Sequence, residues 1–446
     1  MTGKEEMEMN SRKMFLLAAA IAATSAFAVA PSVDSTSIAT TNVPGSVVVD
    51  YVLSGAPGIV TFEVRTNGVP LDIGYPSAVG AVNQLMQPGA YRFTWAADVD
   101  WPGHLIADPS VEVVVKAAAT NDPPDYMMIR LDSSSLPRKY YDKVEDVPGG
   151  ITNHLYKSRV LAMRRIHAAG RAFRQGLMGA EPNRSTTNRG RFVTFSEDYY
   201  IGVYELTVRQ YQLMVQDGTN WKTYCDAIRS GAGETVYAAL LGTGEYDEAR
   251  AVGGPTPQYY FLGNSTAYIW PECDYAVLNT LAIHKIRTAT GIPKMYLPTS
   301  AQWEFACRAG TSTLFANNQT NIAGLGWCST NNSEDPLWVS GAPHAVGMLT
   351  PNAWGLYDMH GNVQEWCRDC YASTRDMDAN GVPLVDPSGP ASSSAYTINT
   401  LQMIVHGGSY VDGSSVCASG NAIGLSWGNA NRNNGYRLSC PVVVDR

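Results

Sequence analysis

Eight cysteines, all after residue 224, divide this 446-residue chain into a cysteine-free part and a cysteine-containing part. An even number of cysteines in an exported chain predicts structural disulfides. Cys367 and Cys370 have the CxxC spacing of redox and zinc sites, but no second CxxC and no histidine pair at zinc spacing accompanies them. The distribution favours a disulfide-stabilised C-terminal domain behind a cysteine-free N-terminal one.

A secretory signal precedes both parts. Arg12 and Lys13 lead into an apolar run over residues 14–23, and residues 26–30 supply the small side chains of a cleavage site. At about 1.5 Å per residue this run is too short to cross roughly 30 Å of hydrocarbon. No later stretch has the apolar length of a spanning helix. We expect a signal peptide at 1–30 and a periplasmic, cell-surface or secreted mature chain with no transmembrane segment.

The charge balance bears on the class of partner. The chain carries 40 acidic and 32 basic side chains, a formal net charge of −8, and only 16% of its residues are charged. A protein that neutralises a phosphate backbone needs an excess of basic residues. Nucleic acid is therefore excluded as a partner, and a protein, peptide or glycan ligand is expected.

Residues 31–132 have the pattern of a small all-β immunoglobulin-like sandwich. Its β-rich runs, separated by Pro-Gly and Asn-Gly turn signals, lie at 47–49, 59–64, 91–95 and 111–115. One loop carries residues that a sugar or metal site would use, but a turn with a buried tryptophan anchor is favoured: Asp98, Asp100, Trp101 and His104. A connector at 133–159 follows.

The sequence pattern of the second domain, at 160–446, predicts an α+β fold with few helices and many loops. Thr207 is placed to cap a helix over 208–215, and residues 274–290 have apolar positions at helical spacing. Thr299 and Gln302 form a capping-box pattern before an apolar run. After Gly310 the helical pattern ends, which predicts long ordered loops on a small twisted sheet.

Four motifs in this domain carry a family resemblance. They lie at 204–211, at 297–310, at 352–366 and, as Gly-Gly-Ser-Tyr with a later Gly-Tyr-Arg, at 407–410 and 435–437. In this order they resemble the motifs of the sulfatase-modifying-factor family, the formylglycine-generating enzymes and their relatives. The resemblance covers the second domain only and implies a loop-rich, C-type-lectin-like α+β fold.

The resemblance also implies a calcium site. Asp358 and Glu365 lie in a glycine-interrupted segment that cannot be a regular helix, so two carboxylates and nearby carbonyls could converge on a hard cation. The family's ligands, carried onto this sequence, are the side chains of Asp358 and Glu365 and the carbonyls of Gly361 and Val363. The alternative is that loop amides satisfy these carboxylates.

Catalytic members of the family bind copper and use two cysteines after the Gly-Gly-Ser-aromatic motif. The matching positions here are Asp412 and Cys417, so the first thiol is missing and a soft Cu(I) site would lack one sulfur. A disulfide from Cys417 to Cys367 or Cys370 is expected instead. The resemblance further pairs Cys307 with Cys440, and it places Ser409 and Asn433 among the polar residues around the active site.

Residues 410–436 have the composition of an antibody-like binding surface, with many Asn, Gly and Ser and the large aromatic side chains of Tyr410 and Trp427. The candidate binding residues are Tyr410, Asp412, Asn421, Trp427, Asn429, Asn431, Arg432 and Asn433. The segment also resembles the variable region of retroelement-diversified proteins that use the same lectin-like fold.

These observations leave three functional hypotheses. The first is an exported sulfatase-modifying-factor-like protein that binds a ligand or partner through 410–436, with structural calcium. The second is a copper-dependent formylglycine-generating oxidoreductase with Cys417 and Ser409 in the catalytic site, which Asp412 disfavours. The third is a diversified binding protein whose variable residues lie in 410–436.

Overall fold

The computed structural model describes residues 29–40, 45–104, 106, 108–133, 138–177, 190–215, 282–334, 343–371, 382–388, 402–426 and 433–442. The predicted signal peptide, Cys225, Cys273 and the first half of the predicted helix 274–290 lie outside these residues. Within the described part of the chain, no helix has the length and apolar character needed to span a membrane.

The N-terminal part is a sandwich of two four-stranded sheets. One sheet has the order β1-β2-β7-β5; the other has the order β4-β3-β6, with β8 also paired to β3. The strands are β1 Ser32–Thr40, β2 Ser46–Ser54, β3 Gly58–Thr66, β4 Val69–Pro70, β5 Val79–Gly80, β6 Gln84–Met86, β7 Gly89–Ala96 and β8 Val111–Ala118. The four predicted β-rich runs lie within β2, β3, β7 and β8.

Alternating burial builds the sandwich core. Along β2 the side chains of Val47, Val49, Tyr51 and Leu53 are buried while their neighbours are not, which is the period of two that a half-buried strand requires. Trp95 on β7 is fully buried, and its indole Nε1 donates to Asp100 Oδ2 at 2.9 Å.

The loop after β7 is a structural turn, although the anchor differs from the predicted one. The Asp100 carboxylate also accepts from the backbone N–H and the hydroxyl of Ser77, so it holds the turn together. Trp101 is half-buried and stacks on the exposed His104, with ring centroids 4.0 Å apart. The buried anchor is therefore Trp95 of the strand and not Trp101 of the loop.

A five-stranded sheet of order β10-β9-β11-β14-β20 organises the second domain. Its strands are β9 Tyr126–Arg130, β10 Arg138–Tyr141, β11 Val160–Ile166, β14 Tyr199–Gly202 and β20 Ser439–Pro441. Residues of β9 were predicted in the sandwich and those of β10 in the connector, but both pair within this sheet. The reason is a non-local strand pairing, which no composition shift marks.

Two smaller sheets complete the second domain. One has the order β12-β13-β16 and the other β18-β17-β15-β19. Their strands are β12 Ala172–Gln175, β13 Arg191–Thr194, β15 Gln364–Cys370, β16 Leu384–Val385, β17 Gln402–His406, β18 Ile423–Ser426 and β19 Asn434–Gly435. The second of these sheets brings residues 364–370 beside residues 402–406 and 434–435, and so gathers the motifs of the family.

Among the described residues the helices are few and short. They are α1 Ala97–Asp100, α2 Leu155–Ser158, α3 Val208–Val215, α4 Ala282–Thr290 and α5 Ser300–Arg308, with 3-10 turns at Val144–Asp146 and Asn332–Glu334. The predicted helix 208–215 and the Thr299 capping box are confirmed, since the Thr299 hydroxyl accepts from Gln302 N at 3.1 Å. The described part of helix 274–290 ends before Gly291, as predicted.

The six described cysteines are buried free thiols, so the predicted disulfides are wrong for this part of the chain. The partners named by the prediction lie in different apolar clusters. Cys370 and Cys440 lie in the first cluster, Cys307 and Cys367 in the second, and Cys328 and Cys417 in the third. Cys417 therefore does not bridge to Cys367 or Cys370, and Cys307 does not bridge to Cys440.

Residues of β10 and the following turn fasten the sandwich to the second domain. Asp142 accepts from the Lys116 ammonium at 2.5 Å and from the Thr61 hydroxyl at 3.0 Å. Asp146 accepts from the backbone N–H of Tyr75 at 3.1 Å and is 93% buried, at 7% exposure. Two carboxylates of the second domain thus hold donors of the sandwich.

The Asp146 contact predicts a pH-dependent stability. Burial raises its pKa to about 6, whereas an unfolded aspartate has a pKa of about 4. Between these values the folded state keeps a proton that the unfolded state has lost, so this contribution is present below pH 4 or so and is lost as the pH rises through about 6. We expect the stability difference between wild type and Asp146→Asn to fall by about 1–3 kcal/mol from pH 4 to pH 7. Urea unfolding of both proteins at the two pH values measures it, and an unchanged difference would contradict it.

Candidate functional site

The segment that leads into β15 is a sequence of tight turns, as its glycine-interrupted pattern predicts. Asp358, Gly361 and Asn362 have φ of 55°, 79° and 53°, in the left-handed region. A Cβ on Gly361 would lie 1.9 Å from the carbonyl oxygen of Trp327, so only glycine fits there. The turns bring the Asp358 and Glu365 side chains into the buried interior.

A buried ion pair lies at the centre of the site. The Arg437 guanidinium donates to Glu365 Oε1 at 2.7 Å and to Oε2 at 3.0 Å, and neither side chain has any solvent exposure. Arg437 also donates to the carbonyls of Gly202 at 2.9 Å and Tyr357 at 2.8 Å, while Trp303 Nε1 donates to Glu365 Oε2 at 2.6 Å. The pair joins β14, α5, β15 and the turn segment.

A second buried carboxylate, that of Glu205, fixes the turn before β15. It accepts from Asn362 Nδ2 at 2.6 Å and from the backbone N–H of Val363 at 3.1 Å. Burial, and then repulsion by Asp358 and Glu365, raises the pKa of Glu205 well above its usual range. Three carboxylates and one guanidinium thus share this interior, and a proton on Glu205 reduces their excess negative charge.

Asp358 is the third carboxylate. Its Oδ2 accepts from the backbone N–H of Gly347 at 2.6 Å, while its Oδ1 is buried with no hydrogen-bond partner in the described part of the protein. Burial raises the pKa of Asp358 to about 6, against the opposing effect of that hydrogen bond. A buried carboxylate oxygen without a donor is costly unless a cation or a proton satisfies it.

The predicted calcium ligands fit an ion unequally. Calcium binds oxygen atoms, and Asp358 Oδ1 is such an atom without another partner. The Glu365 oxygens already accept from Arg437 and Trp303, which together fill their usual four acceptor positions. Among the described residues, no three His, Cys, Asp or Glu side chains group around a common point that could hold a metal. Calcium stays a prediction, with Asp358 as the ligand that the geometry favours.

The polar residues after β17 form a small hydrogen-bonded cluster. The Ser409 hydroxyl donates to Asp412 Oδ2 at 2.5 Å, and Asn433 Nδ2 lies 3.4 Å from the Ser409 oxygen. Ser409 is fully buried, and Asp412 and Asn433 are half-buried. At the position of the missing thiol the chain therefore places a carboxylate that holds its own loop.

Cys417 lies below this cluster with no solvent exposure. His360 Nδ1 donates to its carbonyl oxygen at 2.8 Å, and Cys328 shares its apolar cluster closely enough to perturb its ionisation. Sequence reasoning did not single out Cys328 or His360, because the 88 residues between Cys328 and Cys417 hide their proximity.

Burial keeps the described thiols protonated where a shift is resolved. It raises the pKa of Cys307 and Cys440 to about 12, that of Cys370 to about 11, and that of Cys367 and Cys417 well above the usual range. The thiolate is the nucleophile and the soft-metal ligand, so a neutral buried thiol does neither task well. The arrangement favours a structural role for these cysteines.

The predicted binding residues divide into buried, half-buried and undescribed positions. Tyr410 and Asn421 are buried at 1% and 4% exposure, so the prediction that Tyr410 supplies contact area is corrected: its ring packs inside the domain. Asp412 and Asn433 reach the surface. Trp427, Asn429, Asn431 and Arg432 lie outside the described residues. Val411, which the sequence did not single out, is 52% exposed.

The central ion pair generates a stability prediction. Arg437→Met leaves the Glu365 carboxylate buried without its counter-charge, which costs about 3–5 kcal/mol. A matched control is Arg92→Met, because Arg92 also pairs with a carboxylate, that of Asp50, but at the surface, where water and salt screen the pair and it contributes little. Urea unfolding measures both, and equal small losses for the two variants would contradict the prediction.

Relatives in known sequences match parts of the chain. The chaperone protein LppX of Paenibacillus barcinonensis is 28% identical over 201 residues, which are 42% of this chain and 68% of that protein. The formylglycine-generating enzyme of Streptomyces coelicolor is 34% identical over 131 residues, 27% of this chain and 38% of the enzyme. The chain thus matches well under half the length of that enzyme.

Solved structures similar to the chain include Treponema denticola variable protein 1, at 22% identity and a TM-score of 0.39, covering 63% of this chain and 95% of that one. PvdO from Pseudomonas aeruginosa has 18% identity and a TM-score of 0.40, covering 63% and 94%. The sequence profile of the sulfatase-modifying factor enzyme 1-like domain matches residues 169–440, more than half of the chain. The chain therefore belongs to the sulfatase-modifying-factor family, as predicted, with the loop-rich, C-type-lectin-like α+β fold of that family.

Proposed function

We propose that this protein is an exported, ligand-binding member of the family, with the surface of residues 410–436 as its binding face. The observation that carries the proposal is the state of the two positions that catalytic members use. Asp412 replaces the first thiol and accepts a hydrogen bond from Ser409 at 2.5 Å, and the Cys417 thiol is completely buried. A carboxylate and a buried thiol are poorly suited to thiol chemistry, whereas the hydrogen bond between Ser409 and Asp412 fixes the surrounding loop.

The described part of that face has the properties of a binding loop on a rigid support. Val411 and Gly413 are exposed, and Asp412 and Asn433 are half-buried beside them. Below the loop, the buried Tyr410 receives Asn332 Nδ2 on its carbonyl at 2.5 Å, which fixes the backbone. An apolar contact, a carboxylate and an amide on a fixed backbone suit a protein, peptide or glycan ligand. One relative is named as a chaperone, and chaperones bind proteins.

The binding face predicts the effect of a surface substitution. Probed on an array of glycans and peptides, wild type should give discrete signals, and Val411→Asp should weaken them about tenfold or more, because it places a charge at the apolar centre of the loop. Val69→Asp is the matched control, since Val69 on β4 of the sandwich is 66% exposed and far from residue 411 in sequence. Its signals should equal those of wild type.

Two outcomes would contradict the proposal. Equal array signals from wild type and Val411→Asp would remove this face as the binding site. Conversion of a cysteine in a sulfatase-derived peptide to formylglycine by copper-loaded wild type, seen by mass spectrometry and lost in Cys417→Ser, would make the oxidoreductase alternative correct. Asp412→Cys serves as the reference for that assay, because it restores sulfur at both family positions.

The diversified-protein alternative rests on the same segment. Its described residues separate into a buried frame, with Tyr410 and Cys417, and an exposed set, with Val411 and Gly413. Such a division permits exposed side chains to change without loss of the fold. The alternative requires variation at the exposed positions among relatives of this chain.

Calcium remains part of the proposal as a structural ion held by the Asp358 carboxylate, with the carbonyls of Gly361 and Val363 as the further predicted ligands. The acceptor positions of the predicted Glu365 carboxylate are filled by Arg437 and Trp303. Removal with EDTA should lower the melting temperature by a few degrees, and added calcium should restore it, because an ion that binds only the folded state stabilises it. Asp358→Asn should abolish this response, while Asp50→Asn, at an exposed carboxylate of the sandwich, should retain it. A melting temperature that does not change with EDTA would contradict the calcium site.

A further inference from the structure

A cavity of about 540 Å³ opens on the face of the second domain where β12, α5 and the loop after α5 meet. It is lined by Arg171, Ala172, Phe173, Arg174, Phe305, Arg308, Gly310, Thr311, Ser312 and Trp354. None of these positions belongs to the motif residues that carry copper, calcium or the 410–436 face. Its volume is within the range of small-molecule sites, which is about 300–1,000 Å³.

The apolar wall of the cavity is a row of three aromatic rings. The Phe305 centroid lies 5.1 Å from that of Phe173 on one side and 5.1 Å from that of Trp354 on the other. Phe305 is buried, whereas Phe173 and Trp354 are half-buried. The rings therefore hold one another in place and leave part of their surface open to the cavity, where a flat ring can pack against them.

The charged wall is cationic. Arg171 and Arg174 are exposed, and Arg308 is buried, with its charge offset by Glu304 at 2.8 Å. No Asp or Glu is among the lining residues, although the whole chain has a net charge of −8. The two guanidiniums of Arg171 and Arg174 thus make a local positive potential on an acidic protein.

Neither exposed guanidinium is committed to a carboxylate of the described chain. Arg174 lies over the Phe192 ring at 5.7 Å. A planar guanidinium binds carboxylates in a bidentate manner, and packing on an aromatic ring orients it for that contact. The hydroxyl groups of Thr311 and Ser312 add neutral polar partners at the rim.

We propose that this cavity binds a hexuronate unit of an acidic polysaccharide. The carboxylate would pair with Arg171 and Arg174, the C–H face of the sugar ring would pack on Phe305 and Trp354, and the rim hydroxyls would bind sugar hydroxyls. A carboxylate, an apolar ring face and several hydroxyls are the three features that the three walls complement. The site is independent of the 410–436 face, so either proposal can fail alone.

The test is isothermal titration of the full-length mature protein with a galacturonate oligosaccharide at constant ionic strength. Wild type should bind it and should not bind the matching neutral galactose oligosaccharide. Arg171→Ala and Arg174→Ala should each weaken binding about fivefold, the loss of one charge-assisted contact at a half-open site. Both side chains are exposed, so these variants should retain wild-type stability.

Control variants separate the cavity from general charge effects. Arg92→Ala removes an equally exposed arginine of the sandwich and should leave the affinity unchanged. Trp354→Ala should weaken binding of the uronate without altering its salt dependence, because it removes packing and no charge. Val69→Asp, at an exposed position of β4 outside both proposed sites, should also leave the affinity unchanged.

Four results would overturn the inference. They are an absence of uronate binding, equal binding of the neutral sugar, equal affinity for inorganic sulfate, which would mean a simple anion site, and tighter binding of benzoate, which would mean an aromatic acid site.

Discussion

The Glu365–Arg437 ion pair is the interaction on which the second domain depends, because the pair substitutes for regular secondary structure at the centre of a loop-rich fold. Both side chains are fully buried, and the hydrogen bonds of the guanidinium reach three elements: β15, the end of β14 and the turn at Tyr357. Trp303 of α5 completes the set. A bidentate pair with satisfied donors offsets the cost of burying two charges, which a looser pair would not.

The same interior explains why family membership and activity are separate questions. The fold requires the turns and carboxylates around β15, and these are present. Thiol chemistry requires an accessible thiolate, and the described chain buries Cys417 and has a carboxylate, that of Asp412, at the position that the resemblance assigns to the first thiol. One fold can carry many functions, and the residues exposed on it determine which function a given protein has.

Two surfaces of the domain remain for recognition, and they differ in chemistry. The loop at 411–413 is small and combines an apolar side chain with a carboxylate. Its backbone is fixed by buried hydrogen bonds, so the loop suits adaptable contacts with a ligand. The cavity at β12 and α5 combines an aromatic row with two exposed guanidiniums, which suits a small anionic ring. Sequence patterns indicated the first, since its residues are contiguous; the second draws on four separate segments and has no sequence signature.

Local patterns in the sequence were sufficient for much of the fold. The alternation along β2, the Thr207 and Thr299 caps and the turn glycines are interactions over a few residues, so each could be identified from neighbours in the chain. The four motifs were sufficient to identify the family. The turn at Asp358 also followed from the sequence.

What only the tertiary structure decided depends on contacts between distant residues. Sequence reasoning paired the cysteines into disulfides, but packing distributed the described ones among three clusters. It assigned β9 to the sandwich, but long-range pairing placed that strand in the second domain. Sequence reasoning expected Tyr410 to supply contact area at the surface, but the side chain is buried. In each case the free energy came from non-local burial, which composition and spacing do not encode.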